Sequence, residues 1–67
     1  MQIPQFKSYD EFDTWLNDYC FVRNVQVAQF IVRLGDALDA AHIDQNAKPL
    51  FELLPEIVNS GKFVLPA

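Results

Sequence analysis

Two side chains in this sequence are of the kind that enzymes use as nucleophile and proton carrier, Cys20 and His42, and they stand 22 positions apart. Catalytic partners meet in the fold rather than along the chain, so that separation does not by itself part them. Their surroundings favour simpler roles. Cys20 follows an aromatic stripe near the end of a predicted helix, the setting of a small buried hydrophobe. His42 falls in the last turn of the next predicted helix, where the dipole favours an imidazolium. Ser8 and Ser60 read as helix-end residues. With Gly35 and Gly61 as the only glycines, there is no Gly-x-Ser-x-Gly elbow and no glycine-rich phosphate loop. One Cys and one His fall short of a zinc ligand set. The acids lack the alternating order, central Gly and closing Glu of a calcium loop. The chain is therefore expected to have no catalytic residues, no cofactor and no metal.

The remaining chemistry is surface chemistry. Asp10, Glu11, Asp13 and Asp18 crowd the first predicted helix, with Asp36, Asp39 and Asp44 further along. Solvated helix faces account for them, and Asp10 and Glu11 also gain from a helix N-terminus. The sharper reading is an acidic face that mimics nucleic-acid phosphates or steers the domain onto a basic protein. Tyr9, Phe12, Trp15 and Tyr19 could suggest a base-stacking platform, but such platforms come with a positive groove, so these rings are expected in the core.

Composition narrows the partners. The net charge is −4, and the five basic residues, Lys7, Arg23, Arg33, Lys48 and Lys62, are spread along the chain. No basic stripe exists to neutralise phosphates or anionic lipid, so direct nucleic-acid and membrane binding are not expected. The apolar runs are far shorter than the roughly 20 residues of a membrane span. Met1 to Gln5 lack the pattern of a secretory signal, and a lone cysteine forms no internal disulfide, so the cytoplasm is the expected compartment.

The periodicity predicts an all-α fold: a three-helix bundle over residues 8–20, 24–42 and 47–60, with an extended N-terminal arm and a short apolar C-terminal tail. Pro4 holds the arm extended, and Ile3 and Phe6 pin it to the core. Ser8-Tyr9-Asp10-Glu11 reads as a capping box opening the first helix. Tyr9, Phe12, Trp15, Leu16 and Tyr19 then recur at three- and four-residue spacing. Phe21 to Arg23 read as a link and Asn24 as the N-cap of the second helix. The alternative is one long rod through that link, favouring an intertwined dimer. Val27, Phe30, Ile31, Leu34, Leu38 and Ala41 form the core stripe of the second helix, where Gly35 would permit close approach of another backbone. Asp44 or Asn46 is expected to cap the third helix, Pro49 to sit in its first turn and Pro55 to bend it. Its stripe is Leu50, Leu53, Leu54 and Ile57. Gly61 is placed to end it in the left-handed region.

Ile, Leu, Val, Phe, Trp and Tyr supply 26 of the 67 residues. A domain of this size hides only about 60% of the surface its unfolded chain exposes. Some of that apolar supply is therefore expected at the surface. A second strip on the second helix (Val25, Ala28, Val32), a flank of the third (Phe51, Pro55, Val58) and the tail residues Phe63 and Leu65 are the expected partner-binding positions. The expected function is a non-enzymatic protein-binding module, a small regulator or inhibitor that self-associates or docks on a larger protein. The alternative is an acidic decoy using Asp10, Glu11, Asp13 and Asp18, of the type that phage and other mobile elements encode against basic nucleic-acid-binding proteins.

Overall fold

The computed structural model describes residues 3–66. Met1, Gln2 and Ala67, at the ends of the expected arm and tail, lie outside the described residues. Three helices follow one another, α1 (Tyr9–Arg23), α2 (Val27–Ala40) and α3 (Leu50–Asn59). The all-α three-helix architecture expected from periodicity is the one observed. Phe12, Leu16, Tyr19 and Cys20 of α1, Phe30, Leu34 and Leu38 of α2, and Leu53, Leu54 and Ile57 of α3 share one core, closed at the arm by Ile3 and Phe6. Among the described residues no charged side chain is buried.

The first helix begins as its capping box requires. Ser8 Oγ accepts from the Glu11 N–H at 3.3 Å, while the Glu11 carboxylate reaches one residue further back than expected, to the Lys7 N–H at 3.4 Å. The helix then runs three residues past its expected end, taking in Phe21, Val22 and Arg23. Asn24 stops it: with φ 56° it occupies the left-handed region, where Asn is tolerated better than most residues. It closes α1 rather than opening α2, and that sharp break excludes the single-rod alternative. The link between the helices is Asn24 to Gln26.

The same device ends all three helices. After α1, Asn24 N–H donates to Phe21 O and Val25 N–H to Cys20 O; after α2, His42 N–H donates to Asp39 O and Ile43 N–H to Leu38 O. Beyond α3, Gly61 N–H donates to Val58 O and Lys62 N–H to Ile57 O. Each pair is a Schellman motif around one left-handed residue, Asn24, His42 (φ 59°) or Gly61 (φ 77°). Only Gly61 was expected in that role. His42 lies beyond the last turn of α2 rather than within it.

The third helix starts later than expected. Neither Asp44 nor Asn46 caps it; Asp44 instead accepts from the Asn46 N–H at 2.9 Å and builds a turn in the loop. Pro49 occupies the cap position and has no side-chain donor or acceptor to offer. The substitute comes from α1, where the Tyr9 hydroxyl accepts from the first helical N–H, that of Leu50, at 3.2 Å. The helix continues through Pro55, which is buried. Gly35 faces the Gln45 side chain rather than another backbone, since the Gln45 amide donates to Gly35 O and to the Asp39 carboxylate.

Three substitutions test these backbone features. His42→Gly should stabilise the fold by about 0.5–1 kcal/mol in urea unfolding and Asn24→Val should destabilise it by about 1–2 kcal/mol, because both act on a left-handed residue. A Cβ at Gly35 would meet only Gln45 side-chain atoms at 3.7 and 3.9 Å. Gly35→Ala should therefore stabilise by about 0.5–1 kcal/mol, the helix-interior difference between the two residues, as read by a raised midpoint at unchanged slope.

Candidate protein-interaction surface

The α1–α2 link determines which apolar side chains reach water. Because α1 continues to Arg23, Phe21 and Val22 follow its helical rotation away from the Phe12, Leu16 and Tyr19 stripe, and Phe21 is 86% exposed. The link reading of residues 21–23 concealed them; extending the α1 projection by three residues would have placed Phe21 opposite the core. On α2, Val32 points away from Phe30 and Leu34 and is 62% exposed. It shares a shallow hollow of about 280 Å³ with Ala28, Gln29 and Arg33.

Val25 does not continue that strip. It lies in the link, half-buried beside the core, because its N–H closes the α1 Schellman motif onto Cys20 O. The flank of α3 is likewise covered. Pro55 is fully buried, and Phe51 and Val58 are half-buried against the core. Phe51 meets the Tyr9 ring edge-on at 4.8 Å, and Gln5 of the arm lies beside Pro55 in a common hollow. The arm and the first turn of α1 thus occupy the surface that the flank was expected to offer.

The tail packs as well. Phe63 meets Phe30 edge-on at 5.6 Å, and the Tyr19 hydroxyl donates to Pro66 O. Phe63 and Leu65 are half-buried by this docking, while Val64 between them is 85% exposed. Phe30 belongs to the first turn of α2 and Tyr19 to the last two turns of α1, so the tail arrives at the link end of both helices. Phe21, Val22, Val32 and Val64 all lie within about two helical turns of that link.

Asp10, Glu11 and Asp13 occupy the first turns of α1 and Asp36 and Asp39 the second half of α2, while Asp18 and Arg33 stand at similar distances from the link and Arg23 lies beside it. Asp10, Glu11, Asp13 and Asp18 are all exposed. Arg23 lies over the Tyr19 ring with its guanidinium carbon 3.6 Å from the centroid, and Nη1 donates to Tyr19 O. The ring face compensates a guanidinium whose Nε is buried without a partner.

Cys20 and His42 do not share a site. Cys20 is buried in the core, and the hollow beside exposed His42 is lined by Ala37, Ala40, Ala41 and Lys62. Burial pushes the Cys20 thiol up from its ordinary value near 9, with Arg23 acting in the opposite sense. Among the described residues, no group of three or more His, Cys, Asp or Glu is arranged to hold a metal ion. Nor is any described helix long and apolar enough to cross a membrane.

A raised thiol value means that the folded state keeps its proton where the unfolded chain has begun to lose it. Its stabilising contribution is complete below the unfolded value and declines as pH rises through that value towards the folded one. Cys20→Ala should therefore flatten the loss of stability above about pH 9. At pH 8, iodoacetamide should modify native Cys20 only at the rate of global unfolding, measured beside hydrogen exchange of the core amides. No known family model, curated protein or solved structure matches the chain.

Proposed function

We propose that this chain is a non-enzymatic protein-binding module, a small regulator or inhibitor whose contact surface is the apolar end around the α1–α2 link. The observation that carries the reading is Phe21, left 86% in water by a helix that buries Phe12, Leu16 and Tyr19 on its other side. Burying a Phe side chain is worth about 1.5–3 kcal/mol, and no contact within the fold recovers that gain here. Val22, Val32 and Val64 add to it. Aromatic anchors flanked by arginines are what protein interfaces favour. A single thiol kept from disulfide formation suits a reducing compartment, the cytoplasm.

A second reading is supported by the exposed acids Asp10, Glu11, Asp13 and Asp18; among the described residues the ion pair is Lys48–Glu56, which involves none of them. Those exposed charges suit a decoy for the basic site of a nucleic-acid-binding protein.

Salt separates the two. Tagged chain immobilised and exposed to lysate of its source cell should retain a specific protein at about 0.5 M salt, beyond the range of surface electrostatics. Phe21→Asp and Val32→Asp should release that protein. Retention only near 0.05 M salt, lost on Asp10→Lys with Asp13→Lys, would favour the decoy. Failure to retain any protein at either salt concentration would refute both.

A further inference from the structure

We propose that the link end of the bundle holds a slot for an extended apolar segment, that the tail of this chain fills the slot from within, and that a partner segment of the same pattern displaces it. The inference rests on the protein-binding reading above and names the class of ligand and the element that controls its access.

The tail shows what the slot accepts. Phe63 and Leu65 are half-buried against the core while Val64 between them is 85% exposed, the in-and-out alternation of an extended segment. Phe63 stands edge-on to Phe30 at 5.6 Å, and next after Leu65 the carbonyl of Pro66 accepts from the Tyr19 hydroxyl. The slot therefore reads an aromatic residue, an aliphatic residue two places on and a carbonyl beside it, with no demand on the residue between. Proline suits the last position, because only its acceptor is used there and its ring favours an extended backbone. A partner segment of the pattern aromatic, any residue, aliphatic, proline would make the same contacts.

The attachment is light. The Lys62 N–H closes the α3 Schellman motif on Ile57 O, and beyond it the described tail makes a single hydrogen bond to the rest of the chain, the one from Tyr19. No helix hydrogen bond breaks when the tail lifts, and Gly61, in the left-handed region just before it, supplies the pivot. Two half-buried side chains and one hydrogen bond work against the entropy of ordering five residues, so the lifted state is populated on the order of 1–10%. Lifting uncovers one side of the Phe30 ring and the Tyr19 hydroxyl, which the docked tail keeps from water. A tethered tail meets its slot at a high effective concentration, and an incoming segment has to compete with it. The tail is thus an autoinhibitory strap, which weakens binding at the slot in proportion to the fraction of time it lies closed.

The test uses the full chain and a blocked synthetic peptide of the tail, Lys62-Phe63-Val64-Leu65-Pro66, followed by nuclear magnetic resonance. Phe63→Ser with Leu65→Ser lifts the tail without altering the slot, so this variant should bind the peptide about tenfold or more tightly than the wild-type chain does. The shifts should fall on the Phe30 amide and on the indole N–H of Trp15, which stacks on Tyr19 at 4.8 Å. The same peptide carrying Phe63→Ser should not bind. Equal affinity for variant and wild type, no binding to the variant at millimolar peptide, or shifts confined to Phe21 and Val22 would each overturn the slot. Loss of the helices in the variant, read by circular dichroism, would overturn it as well, because the tail would then be part of the core rather than a strap over it. None of those results bears on the lysate capture through Phe21 and Val32, by which the protein-binding reading stands or falls.

Discussion

Tyr19 is the residue on which the separate elements of this domain converge. Its ring stacks on Trp15 at 4.8 Å, meets Phe30 of α2 edge-on at 6.4 Å and carries the Arg23 guanidinium on its face, while its hydroxyl holds the tail at Pro66 O. Phe6 of the arm reaches the same assembly through Trp15 at 5.4 Å. A small domain has little apolar area with which to order its ends. Here rings that pack against one another along one side of α1 bring the arm, α2 and the tail together. The hydroxyl is satisfied by the tail carbonyl, so the core gains a large ring without an orphaned polar atom.

That convergence explains why the apolar supply is only partly hidden. The arm covers one flank of α3 and the tail covers the link end between Tyr19 and Phe30, and each excludes water from side chains that a bare bundle would expose. The large apolar side chains left exposed are Phe21 and Val22 on the last turn of α1, Val32 of α2, Val64 of the tail and, at the opposite end of α1, Tyr9.

Much of the fold was legible in the chain, because three- and four-residue spacing is a strong signal and this sequence keeps it in all three helices. The stripes Phe12-Leu16-Tyr19, Phe30-Leu34-Leu38 and Leu53-Leu54-Ile57 are the core. The helix ends were harder to read. Asn is favoured both as an N-cap acceptor and as a left-handed terminator, so Asn24 is ambiguous until the hydrogen bonds of Val25 and Asn24 to the preceding turn are seen. That one ambiguity moved Phe21 and Val22 out of a helix on paper and hid the most exposed aromatic residue. It also placed Val25 on a helical projection to which it does not belong. The covering of Pro55 was illegible for a different reason: it depends on where the arm and Tyr9 come to lie, which is a long-range property with no local spacing to announce it. His42 gave no warning either, since a histidine in the left-handed region is uncommon.

The arm and tail end on neighbouring side chains, Phe6 against Trp15 and Pro66 against Tyr19, one helical turn apart on α1. In mechanical terms the two ends of the fold are fastened to a single short lever. A pulling force applied between them would not stretch the bundle along its helices. It would first load the contacts of the arm with Trp15 and of the tail with Tyr19, across one turn of α1.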